Sequence, residues 1–385
     1  MYLADHGAEV IKIEPLAGDE ARRTLTQPPV AGGESRAFLA LNRNKRGIAL
    51  DIRHPKGRDV VLDLSRRTDV LIHNFRPGVA ERLGYGYSTL RALNERLVYA
   101  WITAYGAEGP FAMRPGYDLL FQGLSGILGR RLRRDGRPAG AGVWVADCSA
   151  PMELAYGIAV ALFMRERTGQ GQLVTTSLLH AALAMQLPDL VQVEHALEPG
   201  EVGRDYADQA MYAPYRCRDG RFLIIVVIQD EQWRRLCRAL GLPALGEDPR
   251  YATSLNRAHE SVALSAALTD TFATRDRDEW LARLADADVP SAPILEPDQV
   301  LEYPQVLANQ MLTAVDHPVA GRTVTVSQPV QLHASDATAA GRAPLLGEHT
   351  EEVLLDLGYP SAMIRELEAE QVIRCHRAVN ATNPG

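Results

Sequence analysis

One acidic residue, Asp147, stands at the start of an apolar helix-forming segment, where a carboxylate could serve as an attacking group. The surrounding sequence is V-W-V-A-D-C-S-A-P-M-E-L-A-Y-G, and Pro151 is typical of the first position of a helix. Unpaired N–H groups at a helix N-terminus favour an ionised carboxyl, which is the form that a nucleophile needs. A capping role for Asp147 explains the same local sequence, because aspartate is a favoured N-cap residue. Both interpretations stay open at the level of this segment.

Several short motifs occur along the chain in the order found in one enzyme family. They are G-A-E-V-I-K-I-E-P near the start, N-R-N-K-R-G-I-A-L-D-I at 42–52, N-F-R-P-G at 74–78, R-P-G-Y-D-L-L-F-Q-G-L-S-G, R-E-R-T-G-Q-G-Q and R-A-P-L-L-G-E-H-T-E-E-V-L. With these motifs, the chain resembles the family III CoA-transferases of the carnitine and bile-acid type from Ala8 to Leu354. The resemblance implies an enzyme that moves coenzyme A from an acyl-CoA donor to a carboxylic acid acceptor.

The resemblance assigns the family's catalytic aspartate to Asp147. Its oxygen would attack the thioester carbonyl and form a mixed anhydride, and the released CoA thiolate would then form an aspartyl-CoA thioester. Such a sequence needs no permanently bound cofactor, because the coenzyme A thioester is itself the substrate. With the family context, we expect Asp147 to be catalytic, and the same residue could also cap the helix.

The CoA-binding residues are also assigned by resemblance. Binding of the distant nucleotide end of CoA can position the thioester at the reacting centre. Arginine suits the phosphates, because its guanidinium group donates paired charge-assisted hydrogen bonds. The side chain of Phe75 either stacks on adenine or packs in the core. The assigned residues are Leu50, Arg53, Asn74, Phe75, Arg82 and, by an approximate match only, Arg114.

Tyr117 bears on the choice between two branches of the same superfamily. The related α-methylacyl-CoA racemases carry a histidine at this point, so that two acid/base groups face the α-carbon from opposite sides. Tyrosine ordinarily has a pKa of about 10 and is a poor base at neutral pH. We therefore expect transfer rather than racemisation, with Tyr117 either in the acyl pocket or packed at a helix start.

The composition excludes several classes of function. The net charge of −7 and the isoelectric point near 5.8 argue against a nucleic-acid partner. The longest apolar run, Leu154 to Met164, is too short to span a membrane, so no membrane partner is expected. The charged residues among the first fifteen are not those of a secretory signal, and we predict a cytoplasmic protein.

The cysteines and histidines give no sign of a metal site or of disulfides. Cys148, Cys217, Cys237 and Cys375 form no C-x-x-C pair, and the ten histidines form no H-E-x-x-H motif. Cys148 adjoins the proposed nucleophile, but we expect it to be a small, partly buried residue at the helix start. No metal is predicted.

The first third of the chain predicts a parallel α/β sheet, because short apolar strands alternate with amphipathic helices. Strands are expected at Glu9–Ile13, Ile48–Ile52, Val70–Asn74 and Val98–Thr103, and a helix starting at Pro55 would make a βαβ crossover between the second and third. The helix after Asp147 should start at Pro151, be buried on nearly all sides and stop at Gly169.

The domain organisation is predicted partly from the pattern of strand and helix segments along the chain and partly from the resemblance. The fold class is α/β, with a Rossmann-like parallel sheet in a large domain and a smaller α+β domain. The large CoA-binding catalytic domain would comprise 1–190 and 325–385, the small domain 212–312, and the linkers 191–211 and 313–324. By resemblance, two chains form an interlocked homodimer.

Two features depart from the family pattern. The chain begins inside the family's first helix, so the first strand of the family is apparently missing and we expect the true start to lie upstream. The glycine-rich loop that shields the anhydride in some members is not recognisable, since only Gly200 and Gly203 occur between Glu194 and Tyr212. How the anhydride is protected from water is left open.

Other functions and other sites are less well supported. A nicotinamide dehydrogenase would need G-x-G-x-x-G after a strand, and G-Y-G-Y-S-T at 84–89 lacks the third glycine. A non-catalytic CoA-binding module is the other alternative. We expect a solvated loop, rather than a phosphate site, at the arginine cluster Arg130, Arg131, Arg133, Arg134 and Arg137.

Overall fold

The computed structural model describes residues 1–23, 30, 34–130, 136–192, 194, 210–334 and 341–377. The chain divides into a large unit, Met1–Leu190 with Leu307–Gly385, and a small unit, Val191–Val306. Most of the expected linker 191–211 lies outside the described residues, as do Gly200 and Gly203. The expected linker 313–324 instead lies within an antiparallel hairpin, because its backbone groups pair across a turn.

The elements are numbered in chain order within the described residues. The strands are β1 Val10–Glu14, β2 Lys45–Leu50, β3 Val70–His73, β4 Val98–Thr103, β5 Leu173–Ser177, β6 Tyr212–Arg216, β7 Phe222–Val226, β8 Ser291–Pro293, β9 Leu312–His317, β10 Gly321–Val326 and β11 Ile373–Arg374. The helices of the large unit before the small one are α1 Tyr2–Asp5, α2 Arg36–Leu41, α3 Pro55–Arg67, α4 Val79–Leu83, α5 Tyr87–Leu93, α6 Asp118–Leu124, α7 Val145–Thr168 and α8 Leu178–Ala184. The remaining helices are α9 Asp230–Leu240, α10 Pro243–Gly246, α11 Ser254–His259, α12 Ser261–Phe272, α13 Arg277–Asp286, α14 Pro297–Val300, α15 Pro304–Ala308, α16 Thr350–Asp356 and α17 Ser361–Ala369.

Parallel strand pairs dominate the large unit, in two three-stranded sheets. In the first sheet β2 runs parallel to β1 and antiparallel to β11, and in the second β4 runs parallel to both β3 and β5. The predicted βαβ crossover from β2 to β3 is wrong, because the two strands belong to different sheets: β2 pairs with β1 and β11, whereas β3 pairs with β4. The crossovers run from β3 to β4 and from β4 to β5, so these three strands have their carboxyl ends at one edge.

The core of the large unit explains why the chain returns after the small unit. Ile48 and Leu50 of β2 pack with Val60 of α3, and the same cluster takes in Leu354 of α16 and Ile364 of α17. Burying such side chains stabilises the fold by about 2 kcal/mol each. The C-terminal helices therefore complete the core that the first sheet begins.

Helix α7 differs from the sequence prediction at its start and in its burial. It begins at Val145, so Pro151 lies inside it, and it ends as predicted at Gly169, whose φ of 73° is the left-handed region that glycine favours. Only one stripe is buried, and the opposite one is exposed. The exposed apolar side chains are those of Met152, Tyr156, Val160, Phe163 and Met164. Helix α7 is long and apolar enough to cross a membrane, a property that it shares with core helices of soluble proteins.

The small unit has its own sheet and core. Strands β6, β7 and β8 form an antiparallel sheet, and Gly220 in the turn between the first two has a φ of 81°. Trp233, Phe272 and Trp280 fill its core. These three side chains come from α9, α12 and α13, respectively.

Candidate active site

Asp147 lies in the first turn of α7. Because α7 leads into β5 and packs on that strand, its N-terminus lies near the carboxyl ends of the parallel strands. Asp147 is in line with the buried residues Ala150, Leu154 and Ile158, at spacings of three and four residues, yet its own side chain is exposed. A rigid helix therefore presents an accessible carboxylate.

The N-terminus of α7 is capped by Asp118 of α6. One oxygen of this buried carboxylate accepts hydrogen bonds from the N–H groups of Ala146, at 2.7 Å, and of Asp147, at 3.3 Å. The N-cap residue Trp144 makes no side-chain cap bond. Capping is therefore supplied by a residue of another helix, and the alternative that Asp147 merely caps α7 is wrong.

Gln122, one turn after Asp118 on α6, fastens the segment that leads into α7. Its amide nitrogen donates to the second Asp118 oxygen at 2.5 Å and to the carbonyl of Val143 at 2.9 Å. Its amide oxygen accepts from the N–H of Ala141 at 2.9 Å. Together, Asp118 and Gln122 hold the backbone on both sides of the turn that enters the helix.

The electrostatic setting of Asp147 differs from the one expected for a free helix N-terminus. Although Asp147 is exposed overall, desolvation of its carboxyl group by the surrounding protein and, after it, the neighbouring Asp118 raise its pKa above the usual value. From the sequence we expected the N–H groups at the helix start to favour the ionised form of Asp147. In the structure the Ala146 and Asp147 amides donate to Asp118 instead. A raised pKa makes the ionised carboxylate more basic and thus a stronger electron-pair donor.

Cys148 is exposed rather than partly buried, because it follows Asp147 on the outer side of the first turn. Desolvation by the neighbouring protein, followed by the charges of Asp147 and Asp118, raises the pKa of the Cys148 thiol. A thiol with a raised pKa is a weak nucleophile at neutral pH. Cys148 is therefore a poor rival to Asp147 for the attacking role.

Leu50 and Arg53 lie at the carboxyl end of β2. The Leu50 side chain is 2% exposed and belongs to the core, so a contact with CoA would come from its main chain. Arg53 is exposed just beyond the strand, and its N–H donates to the side chain of Asp51 at 3.0 Å. The CoA-binding roles of both residues stay predictions.

Asn74 and Phe75 follow β3 in a turn that two aromatic neighbours hold. His73 Nδ1 accepts from the N–H of Phe75 at 3.2 Å, and Trp101 Nε1–H donates to the carbonyl of Phe75 at 2.8 Å. The His73 and Trp101 rings stack at 5.8 Å, and burial lowers the pKa of His73 to about 4. His73 is thus neutral at pH 7, and its Nδ1 is free to accept a hydrogen bond. Asn74 is exposed and Phe75 is half-buried.

The other assigned residues, Arg82, Arg114 and Tyr117, are exposed. Arg82 is in α4, Arg114 stacks over the ring of Phe111 at 3.9 Å, and Tyr117 is the N-cap residue of α6 with 73% of its surface exposed. Tyr117 directly precedes Asp118, so the structure brings it to the turn that holds Asp147. Of the arginine cluster, Arg130 pairs with Asp189 at 2.7 Å, while Arg131, Arg133 and Arg134 lie outside the described residues.

Sequence reasoning missed four residues of this region: His73, Trp101, Asp118 and Gln122. The D-L-L-F-Q spacing places Asp118 and Gln122 on one face of a helix, which was a usable signal. Nothing local indicates that this face meets the segment before Asp147. Within the described residues, no group of three His, Cys, Asp or Glu side chains could hold a metal ion.

Comparison with known proteins identifies the family. The model of CoA-transferase family III matches residues 1–350. Formyl-CoA:oxalate CoA-transferase of Streptomyces coelicolor is 32% identical over 96% of this chain and 94% of that protein. Succinyl-CoA:glutarate CoA-transferase of Mus musculus is 33% identical over 98% of this chain and 86% of that protein.

A solved structure supports the same assignment at the level of the fold. A CAIB/BAIF family protein from Brucella suis superimposes with a TM-score of 0.77 and 33% sequence identity, covering 92% of this chain and 93% of that one. The sequence resemblance is therefore confirmed across both units, and the chain belongs to the family III CoA-transferases.

Proposed function

We propose that this CoA-transferase moves coenzyme A between two carboxylic acids by covalent catalysis on Asp147. The observation that carries the proposal is an exposed carboxylate in the first turn of α7, on a backbone fixed by Asp118. Rigid placement of a nucleophile is what converts a slow encounter into an efficient intramolecular step.

The proposed reaction balances in four steps. An Asp147 oxygen attacks the acyl-CoA carbonyl, the C–S bond breaks, and CoA leaves as a thiolate from a mixed anhydride. The thiolate attacks the aspartyl carbonyl, releasing the donor carboxylate and leaving an aspartyl-CoA thioester. The acceptor carboxylate attacks this thioester to form a second anhydride, and the thiolate then attacks the acceptor acyl carbonyl, which regenerates the Asp147 carboxylate.

We propose that the nucleotide end of CoA lies along the carboxyl edges of the sheets. Arg53 follows β2, and Asn74 and Phe75 follow β3, so these residues lie at strand ends where ligands of α/β folds bind. Exposed arginines at Arg53 and Arg82 suit the CoA phosphates. Arg114 and Tyr117, on exposed turns beside α6, suit the thioester and the acyl group.

Small carboxylic acids are the substrates that we propose. The relatives named above act on formyl-CoA with oxalate and on succinyl-CoA with glutarate. A panel of formate, oxalate, succinate and glutarate, offered with succinyl-CoA or formyl-CoA, would identify the pair that exchanges fastest. Deuterium uptake at the α-carbon of a branched acyl-CoA in heavy water would reveal racemase activity, which we do not expect.

The decisive experiment is the Asp147→Asn variant, which keeps the shape of the side chain and removes the nucleophile. Exchange should fall by roughly a thousandfold or more. Cys148→Ser is the matched control, because it alters the neighbouring exposed residue and should keep near-normal exchange. After incubation with acyl-CoA, mass spectrometry should find CoA attached to the peptide containing Asp147. Full exchange by Asp147→Asn would overturn the proposal.

We also propose that the enzyme is a homodimer of interlocked chains, with the exposed stripe of α7 covered by the second copy. The support is the size of the stripe: Tyr156 is 73% and Phe163 59% exposed in the single chain. Apolar surface of this extent is typical of an interface. Light scattering should give twice the mass of the chain even at nanomolar dilution, and rapid subunit exchange would contradict interlocking.

The cellular setting that we propose is the cytoplasm. The four cysteines are all unpaired, as expected in a reducing compartment. Fractionation of cells that express the protein would test this location, and recovery with membranes would contradict it. Nucleic-acid and membrane partners are not part of the proposal.

A further inference from the structure

The carboxylates of Asp118 and Asp147 both lie at the N-terminus of α7, and Asp118 has no role in the reaction proposed above. Asp118 is buried, and its partners among the described residues are three uncharged N–H groups, of Ala146, Asp147 and Gln122. An aspartate that only capped a helix could be replaced by a neutral serine or asparagine at little cost. A buried carboxylate beside the nucleophile adds something that those residues lack, which is a negative charge.

We propose that Asp118, braced by Gln122, is a positioning residue that fixes the Asp147 backbone and whose charge favours the covalent forms of Asp147 over its free carboxylate. The inference rests on the proposed function of Asp147. When Asp147 becomes an anhydride or a thioester, its negative charge departs with the CoA thiolate or with the donor acid. The repulsion between the two carboxylates then disappears, so Asp118 lowers the free energy of acylation.

The charged surroundings of Asp147 are consistent with this role. On α7 the nearest titratable groups are Cys148 and Glu153, the packed helix α8 carries His180, and Tyr2 of α1 interacts with Cys148. Asp118 is the charge that raises the pKa of Asp147 in addition to burial. The same two carboxylates raise the pKa of the Cys148 thiol, which makes this thiol a reporter that does not depend on turnover.

Asp118→Asn removes the charge and the acceptor of the Gln122 amide, while its one oxygen can still accept from the Ala146 and Asp147 amides. The acidic limb of kcat/KM should move to lower pH. The equilibrium ratio of aspartyl-CoA enzyme to free enzyme should fall by about tenfold for each pH unit of that movement, since both effects measure one repulsion. The alkylation of Cys148 by iodoacetamide should also begin at lower pH, as read by peptide mass spectrometry.

Two further variants separate charge from structure. Asp118→Ala should lose the protection of the Ala146 and Asp147 amides against hydrogen exchange, whereas Asp118→Asn should keep it. Glu166→Gln also removes one negative charge, but from a point on α7 about 28 Å from Asp147, at a rise of about 1.5 Å per residue. It should leave the pH profile unchanged. If Asp118→Asn does not fold, Asp118→Ser supplies a neutral acceptor for the same measurements.

The outcomes distinguish this inference from the proposed function. A wild-type pH profile, aspartyl-CoA fraction and Cys148 alkylation in a folded Asp118→Asn enzyme would overturn the role of the charge while leaving transfer by Asp147 intact. A matching shift in Glu166→Gln would overturn it too, because the effect would belong to net charge. Failure of the proposed function would appear instead in the wild type, as exchange without any adduct on Asp147.

Discussion

The turn that carries Phe75 offers a sharp test of CoA binding, because the Trp101 indole makes one of the two hydrogen bonds that hold it. Trp101→Phe keeps an aromatic ring in place but removes the Nε1–H that donates to the carbonyl of Phe75 at 2.8 Å. A neutral hydrogen bond of this kind contributes about 1 kcal/mol net. Loss of that amount corresponds to about fivefold in an equilibrium constant. If Phe75 contacts CoA, KM for the acyl-CoA should rise by about fivefold with little change in kcat, since Asp147 is untouched.

The control for this prediction is a matched substitution in the small unit. Trp280 Nε1–H donates to the carbonyl of Phe272 at 2.9 Å, so Trp280→Phe removes the same kind of bond from a residue with no CoA assignment. Initial rates over a range of acyl-CoA concentrations, with thermal unfolding of both variants, give the comparison. A fall in Tm for both variants with no change in KM for Trp101→Phe would refute the reasoning.

The remaining predictions concern stability. Gly57→Ala should destabilise the protein by about 1–3 kcal/mol, because the added Cβ would lie 2.0 Å from the carbonyl oxygen of Asp51. Gly129→Ala is the control, because its Cβ would meet no atom within 4 Å, and it should be nearly neutral. Urea unfolding measures both. Arg342 lowers the pKa of Glu348 from 4.5 to about 2. The stabilisation from this pair is therefore complete above pH 4.5 and is lost as the pH falls towards 2, and Glu348→Gln should flatten the dependence of Tm on pH in that range.

The sequence predicted the elements whose signals are local. Strand β4 was predicted with its observed ends, and helix α3 begins at Pro55, as its proline and its apolar spacing indicated. The sheet connections could not be predicted in the same way, because the pairing of β2 on its second edge depends on β11, which lies more than three hundred residues further along the chain. Long-range pairing leaves no mark on the pattern of either strand alone.

The buried face of α7 was mispredicted for a similar reason. The segment from Leu154 to Met164 is apolar all round, and such a helix is usually buried on all sides. In the structure only one stripe of the helix is buried, and Tyr156 and Phe163 are exposed. The apolar composition of α7 predicts burial on all sides, but it does not indicate which side of the helix packs against the rest of the chain.

The start of α7 shows why the role of Asp147 was undecided from local sequence. Pro151 lacks an N–H and so cannot donate to the carbonyl of Asp147 four residues earlier, which made Pro151 itself the natural first residue. The helix extends back to Val145 because Asp118 binds the first amides from another helix. From local sequence, capping and nucleophilic attack were alternative roles for one side chain, whereas in the structure the capping is done by a second aspartate, Asp118. Since Asp118 of α6 binds the Ala146 and Asp147 amides, the Asp147 carboxylate is not needed to cap its own helix, as the proposed nucleophilic role requires.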